Sequence, residues 1–152
     1  MTSPGPDATA LPPCGLYRTT VALGAVPAGR LVSFHNHGER GPAVFLPTGW
    51  IAHRARFDAA GVAPSGTSWV RTLDTLAPEG IYRVREPFAC CAERCRVFGA
   101  DLLVQLAYTD DARPVLLPLA ARDGALVLPE RGTLVDRASV AKLAPLEVEG
   151  WT

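Results

Sequence analysis

The chain has 152 residues with 15 basic and 15 acidic side chains and a pI near 6.8. No net field therefore draws it to a phosphate backbone or an anionic membrane surface. A hydrophobic content of 48% with only 20% charged residues supports a real core and excludes global disorder.

Taken in order, residues 1–10 read as a short disordered lead, without the basic start and apolar centre of a signal peptide. Leu16 to Leu23 suits a first strand through Tyr17, Thr19, Thr20 and Val21. Pro27-Ala-Gly29 turns the chain, and Arg30 to His37 forms a second strand with Leu31, Val32 and Phe34. The turn-forming run His37 to Pro42 leads to a hairpin partner over Ala43 to Leu46. Ile51 to Phe57 fits a strand or a helix. Ser65-Gly-Thr-Ser68 offers capping oxygens for a short helix with Trp69, Val70, Leu73 and Leu76 on one side.

The pattern then starts again. Leu76-Ala-Pro-Glu-Gly-Ile-Tyr-Arg83 echoes Leu11-Pro-Pro-Cys-Gly-Leu-Tyr-Arg18 at an offset of 65. Leu31 to Phe34 lines up with Leu103 to Leu106, and Pro42 to Phe45 with Pro114 to Leu117, at an offset of 72. Val70, Leu73, Leu76 and Glu79-Gly80 match Val140, Leu143, Leu146 and Glu149-Gly150 at 70, so Trp151 takes the place of Ile81 and begins a truncated closing strand. Strands are expected at Ile81 to Glu86, Leu102 to Thr109 and Val115 to Leu119, with Asp110 to Pro114 as a turn. Asp123-Gly124 marks a hairpin between the strand at Val115 to Leu119 and Ala125 to Leu128, and Asp136 caps a short helix through Lys142.

This self-similarity predicts a tandem duplication, with a first β-rich repeat at 11–78 and a second at 79–152. A unit of about 70 residues is near the lower limit for an independent core. The expected fold is mainly β, a β-rich α+β arrangement of two small SH3-like barrels, each with a short helix, packed pseudo-symmetrically.

The repeats differ in two places. His35-Asn36-His37 is replaced by Ala107-Tyr108-Thr109. On a strand, i and i+2 share a face, so His35 and His37 can converge on one metal ion, with His53 or Glu39 as a third ligand. The alternative is a polar pair beside a Gly-rich turn. Gly29, five intervening residues and His35-x-His37 resemble the opening of the first cupin motif. The resemblance implies a divalent metal held by the His pair, a downstream Glu and a later His. It covers nine residues; Glu39 comes too early, Gly41 and Pro42 stand where the Glu belongs, and the second motif is missing.

The second difference is an insertion of seven residues within 87–99, holding Cys90, Cys91 and Cys95. One reading is a short helical insert burying small thiols, with Cys91 and Cys95 on one face. The others are a zinc site drawing further ligands from Cys14 and the histidines, or redox chemistry with thiols acidified by Arg94 and Arg96.

The chain has no P-loop, dinucleotide-type glycine fingerprint, Gly-x-Ser-x-Gly elbow or His-Glu-x-x-His. Its bases are almost all Arg, scattered in the manner of a high-GC bacterial composition, with Lys142 the only lysine; nucleic acid is not an expected partner. No run approaches the ~18–20 apolar residues that cross a membrane. A cytoplasmic location with reduced cysteines is the expectation. The leading functional expectation is a non-enzymatic adaptor, or a homodimer, that engages a protein or peptide without a cofactor. Trp50, Arg40, Tyr108 and Arg113 are the candidate contacts at hairpin tips and strand edges. The metal site is the alternative.

Overall fold

A computed structural model describes residues 11–38 and 41–149. The expected disordered lead, Glu39, Arg40 and Trp151 lie outside the described residues. The protein is mainly β, built from several small sheets, none of which closes into a barrel. It divides into two compact units. The first comprises Met1–Ile51, Ala55–Leu76 and Asp110–Ala112, and the second Ala52–Arg54, Ala77–Thr109 and Arg113–Thr152. Among the described residues no helix is long and apolar enough to cross a membrane.

In the first unit the strands are β1 (Gly15–Arg18), β2 (Leu31–His35), β3 (Ala43–Phe45), β4 (Pro47–Ile51), β5 (Arg54–Phe57) and β6 (Asp74–Thr75). The main sheet runs β3-β2-β1-β6, and β4-β5 pairs only with itself. The expected helix over 65–76 is one 3₁₀ turn, Ser68–Thr72, whose N-cap Thr67 makes no side-chain cap bond. Its apolar face was legible all the same: Trp69, Val70, Leu73 and Leu76 are buried. They join Tyr17, Leu23, Val26, Val32, Phe34 and Val44 in the core. Phe34 packs edge-on against both Tyr17 and Trp69, with ring centroids 5.7 and 6.0 Å apart, which is the favoured aromatic geometry.

The second unit holds β7 (Gly80–Val84), β8 (Phe88–Ala89), β9 (Val97–Phe98), β10 (Leu103–Tyr108), β11 (Pro114–Pro118), β12 (Ala120–Arg122), β13 (Ala125–Val127), β14 (Thr133–Leu134) and β15 (Leu143–Pro145). Its main sheet runs β14-β11-β10-β7-β15. A 3₁₀ turn, Arg137–Lys142, follows Asp136, again without a side-chain cap bond.

The pairings of the two units coincide under the offsets read from the sequence. Tyr17 pairs with Val32 as Tyr82 pairs with Val104, and Phe34 pairs with Val44 as Leu106 pairs with Leu116. Thr75 sits opposite Tyr17 as Pro145 sits opposite Tyr82. Each tyrosine donates its hydroxyl to a carbonyl four residues back, Tyr17 to Pro13 and Tyr82 to Pro78, both at 2.7 Å.

Barrels fail to close for a local reason. The edge strands are two to five residues long, and prolines at 47, 114, 118 and 145 remove donors at strand positions. Among the described residues, the first sheet adds a single bridge beyond β3, Val44 to Val62.

The insertion is a hairpin and not a helix. In the first unit the β1–β2 connection contains a bridge, Leu23 to Val26, around a two-residue turn. The same register in the second unit is Phe88 to Phe98, where β8 and β9 pair. The seven extra residues lengthen this hairpin, and all three cysteines of the second unit lie within it. Phe88 and Phe98 stack at 5.2 Å and are buried.

Candidate metal centres

The first cluster begins with the chain entering β1. Tyr17 fixes Pro13, and the Asn36 amide donates from Nδ2 to the Pro12 carbonyl at 2.9 Å. These two bonds hold residues 12–14 against the end of β2. The Asn36 backbone N–H then donates to Cys14 Sγ at 3.3 Å, while the Cys14 thiol donates to Asn36 Oδ1 at 3.2 Å. His35 and His37 flank Asn36. The His35 ring packs edge-on against Phe45 at 5.0 Å and against His37 at 5.6 Å, and its Nε2 lies 3.4 Å from Ser33 Oγ.

As a result one ligand atom each from Cys14, His35 and His37 lie within 4.8 Å of one another. His35 is half-buried, whereas Cys14 and His37 are exposed. One sulfur and two imidazole nitrogens suit zinc or a similar borderline divalent ion, and three protein ligands leave a coordination position to water. His53 is not in this set. It occupies the β4–β5 turn at φ 65° and groups with the second unit. The sequence missed that turn because Ala52 and His53, both at positive φ, are not turn-forming residue types.

The second unit keeps the tether and not the ligands. Cys14, His35 and His37 correspond to Glu79, Ala107 and Thr109. Asn36 corresponds to Tyr108, and Pro12 to Ala77, and the Tyr108 hydroxyl donates to the Ala77 carbonyl at 2.7 Å. Burial first, and then the neighbouring Tyr82 and Glu79, push the Tyr108 phenol far above its ordinary range. Tyr108 is 3% exposed. It is a core tether and no surface contact, contrary to the expectation from its place near a hairpin tip.

The second cluster is the extended hairpin. The Cys90 N–H donates to the Arg96 carbonyl at 2.9 Å, and the Arg94 N–H to the Cys91 carbonyl at 3.0 Å. Arg94 adopts φ 54°, which turns the chain back. Cys90 and Cys91 sulfurs lie 3.5 Å apart, and those of Cys91 and Cys95 4.0 Å apart. The Arg96 N–H donates to Cys90 Sγ at 3.3 Å. Backbone N–H of Cys95 first, then the Cys90 thiol and the Glu93 N–H, lower the Cys91 thiol below its usual value. Cys95 moves upward, through its hydrogen bond to Cys91 and the charge that Cys91 carries. Backbone N–H groups and the Cys90 thiol, and not Arg94 or Arg96, therefore acidify Cys91; the Arg96 guanidinium instead lies 5.4 Å from the Phe98 ring centroid.

Of the other expected contacts, Trp50 is 40% exposed on β4, beside Ile51 at 61%. Arg113 is exposed and closes the β10–β11 turn, its N–H donating to Thr109 Oγ1 at 3.0 Å. Compared with protein families, curated proteins and solved structures, the chain finds no match.

Proposed function

We propose that the chain is a tandem duplication whose first copy has become a metal-binding unit. Cys14, His35 and His37 bind one borderline divalent cation, zinc foremost, and the remaining coordination position faces solvent. One observation carries this reading. A sulfur and two imidazoles approach within 4.8 Å in the first unit, on a framework whose second version holds Glu79, Ala107 and Thr109 there. Neighbouring hydrogen bonds suit the role, because the Asn36 N–H aimed at Cys14 Sγ stabilises a thiolate and orients it. The matching pairings of the two units support the duplication.

The test is elemental mass spectrometry of the untagged protein after zinc loading and gel filtration, for wild type and for Cys14→Ser/His37→Ala. Loss of one metal equivalent with an unchanged circular-dichroism spectrum is the expected result. Unchanged metal content in the double variant sinks the proposal.

A second reading, engagement of a protein or peptide partner without catalysis, rests on a different observation. Ile51 and Leu126, each 61% exposed, lie on the two-stranded hairpins β4–β5 and β12–β13. Trp50 and Arg113 add an aromatic and a cationic group of the kinds that anchor interfaces. Crosslinking followed by mass spectrometry tests it: wild type captures a partner that Ile51→Glu/Leu126→Glu does not. Equal capture by both overturns it.

A further inference from the structure

The thiol loop forms a cluster of its own, apart from the Cys14 set, and gathers three sulfurs. We propose that Cys90, Cys91 and Cys95, with the Glu93 carboxylate as fourth ligand, form a structural zinc site that locks the extended β8–β9 hairpin.

Zinc–thiolate bonds of about 2.3 Å in a tetrahedron place sulfurs about 3.8 Å apart. Two of the separations, 3.5 and 4.0 Å, bracket that value, and all three sulfurs lie within 4.8 Å of one another, so a shift of no more than about 1 Å lets them share one ion. Glu93 Oε2 stands 3.9 Å from Cys95 Sγ, and a rotation of this exposed side chain brings a hard oxygen to the open side of the trio. All four donors fall within six consecutive residues, Cys90 to Cys95. Every one of them belongs to the stretch by which this hairpin exceeds its counterpart in the first unit.

The loop has a physical need for such a clamp. Residues 92–97 are exposed and bury little apolar surface of their own. A nine-residue connection replaces a two-residue one, which raises the entropy cost of closing the hairpin. Yet the hairpin must be held, because Phe88 and Phe98 are buried at its base and the Cys90 carbonyl accepts the Asp136 N–H at 3.2 Å, ahead of the 3₁₀ turn. A metal bound by deprotonated thiols supplies folding free energy that so short a segment cannot obtain from packing. The Arg96 N–H on Cys90 Sγ holds that sulfur in the ligating orientation.

The experiment uses the full chain, reduced and stripped of metal, reconstituted with cadmium-113 and followed by NMR. Wild type is expected to give a far-downfield, thiolate-rich resonance that persists in Cys14→Ser/His37→Ala and disappears in Cys91→Ser/Cys95→Ser. Both ligands removed are half-buried or exposed, so the variant is expected to remain folded, with Phe98 and Cys90 signals retained. Zinc should increase hydrogen-exchange protection of the Cys90 and Asp136 amides in wild type and not in the thiol variant. Glu93→Gln should weaken zinc binding at this site by at least about tenfold, by analogy with the loss of metal-supporting groups. Persistence of the downfield signal in the thiol variant, or equal reaction of all three thiols with a disulfide reagent with and without zinc, overturns the site. A Cys91–Cys95 disulfide in protein prepared under reductant does the same. Undiminished affinity in Glu93→Gln removes Glu93 from the ligand set.

Discussion

The two units use the same strand pairings and tethers and fill their interiors differently. In the first, bulk comes from Phe34 and Trp69; the corresponding positions in the second are Leu106 and Ser139. In the second, bulk comes from Phe88 and Phe98, where the first has Leu23 and Val26. Aromatic volume sits at the end of β2 and the 3₁₀ turn in the first unit, and at the base of the β7–β10 connection in the second. Close packing explains why a gain at one place accompanies a loss at the other, since interiors tolerate neither voids nor excess. What stays constant is the backbone ladder and the tyrosine-to-carbonyl bonds, and what varies freely is the chemistry of exposed ends. Both candidate metal centres lie at such ends.

The sharpest way to break the comparison is to give the first unit the second unit's residue. Trp69→Ser removes a buried indole without supplying Phe88 and Phe98, and should cost about 3–5 kcal/mol, as truncations of buried aromatics do. Phe98→Ala should cost a similar amount in the second unit. Urea denaturation followed by circular dichroism measures both. A loss below about 1 kcal/mol for Trp69→Ser means that the first core does not depend on that volume.

A smaller effect is expected at a pair of glycines. Gly61 and Gly132 occupy matching places where the chain crosses the side chains of β3 and β11. A methyl at Gly61 would lie 2.8 Å from Phe45 Cζ and 3.1 Å from Ala43 Cβ. At Gly132 it would collide with Val115 Cγ1 and lie 3.1 Å from both the Leu116 carbonyl and Leu117 Cγ. The Phe45 ring is half-buried and can swing aside, whereas a β-branched valine and a backbone carbonyl cannot. Gly132→Ala should therefore be destabilising by about 1–3 kcal/mol, and Gly61→Ala by less. Equal losses would show that the two crossings are equally rigid.

The tyrosine tethers should respond alike in the two units. Tyr17→Phe and Tyr82→Phe each delete one hydroxyl bond and should each cost about 1 kcal/mol. Burial also holds the Tyr82 and Tyr108 phenols protonated above the value of about 10 at which they ionise in the unfolded chain. The resulting stability is complete below that pH and is lost as pH rises beyond it. Unfolding free energy should thus fall above about pH 10, and fall less steeply in Tyr108→Phe, by urea titrations across the alkaline range.

Much of this was legible in the sequence, and what was not has physical causes. Most strand positions and the buried face of Trp69, Val70, Leu73 and Leu76 follow from local pattern. Asp123-Gly124 does turn the chain, at φ 51° and 79°, but it joins β12 to β13; the expected partner strand, β11, pairs with β10 and β14, because the short strand Ala120–Arg122 intervenes. Turn chemistry failed at Ala52-His53, where ordinary residues adopt positive φ, so the β4–β5 hairpin stayed ambiguous. The i, i+4 spacing of Cys91 and Cys95 suggested a helix because spacing alone does not separate a helical turn from a hairpin loop. His35 and His37 were recognisable as a pair. That Cys14 joins them depends on the Asn36–Pro12 bond, a contact across 24 residues that no local signal announces. Barrel closure depends on which edges pair, and that is decided by strand length and proline placement together.

The smallest expected effect concerns two arginines at matching strand positions with different partners. Arg18 and Arg83 match, but Arg83 pairs with Asp101 at 2.8 Å while Arg18 lies 3.9 Å from Asp74 with its Nε buried and unpartnered among the described residues. The difference traces to one position: Asp101, at φ 68°, stands where the first unit has Gly29, at φ 79°. A side chain at Gly29 has room, since its Cβ would meet Arg18 Nη2 at an ordinary 3.6 Å. Gly29→Ala should cost about 1 kcal/mol, the penalty of a left-handed backbone without compensation. Gly29→Asp should recover part of that cost, because aspartate tolerates this conformation and gains an exposed ion pair worth up to about 1 kcal/mol. The gain should shrink in high salt, as exposed pairs do. If alanine and aspartate prove equally costly at every salt concentration, the carboxylate at this turn is not what positions the arginine, and Asp101 follows Arg83 in the second unit without directing it.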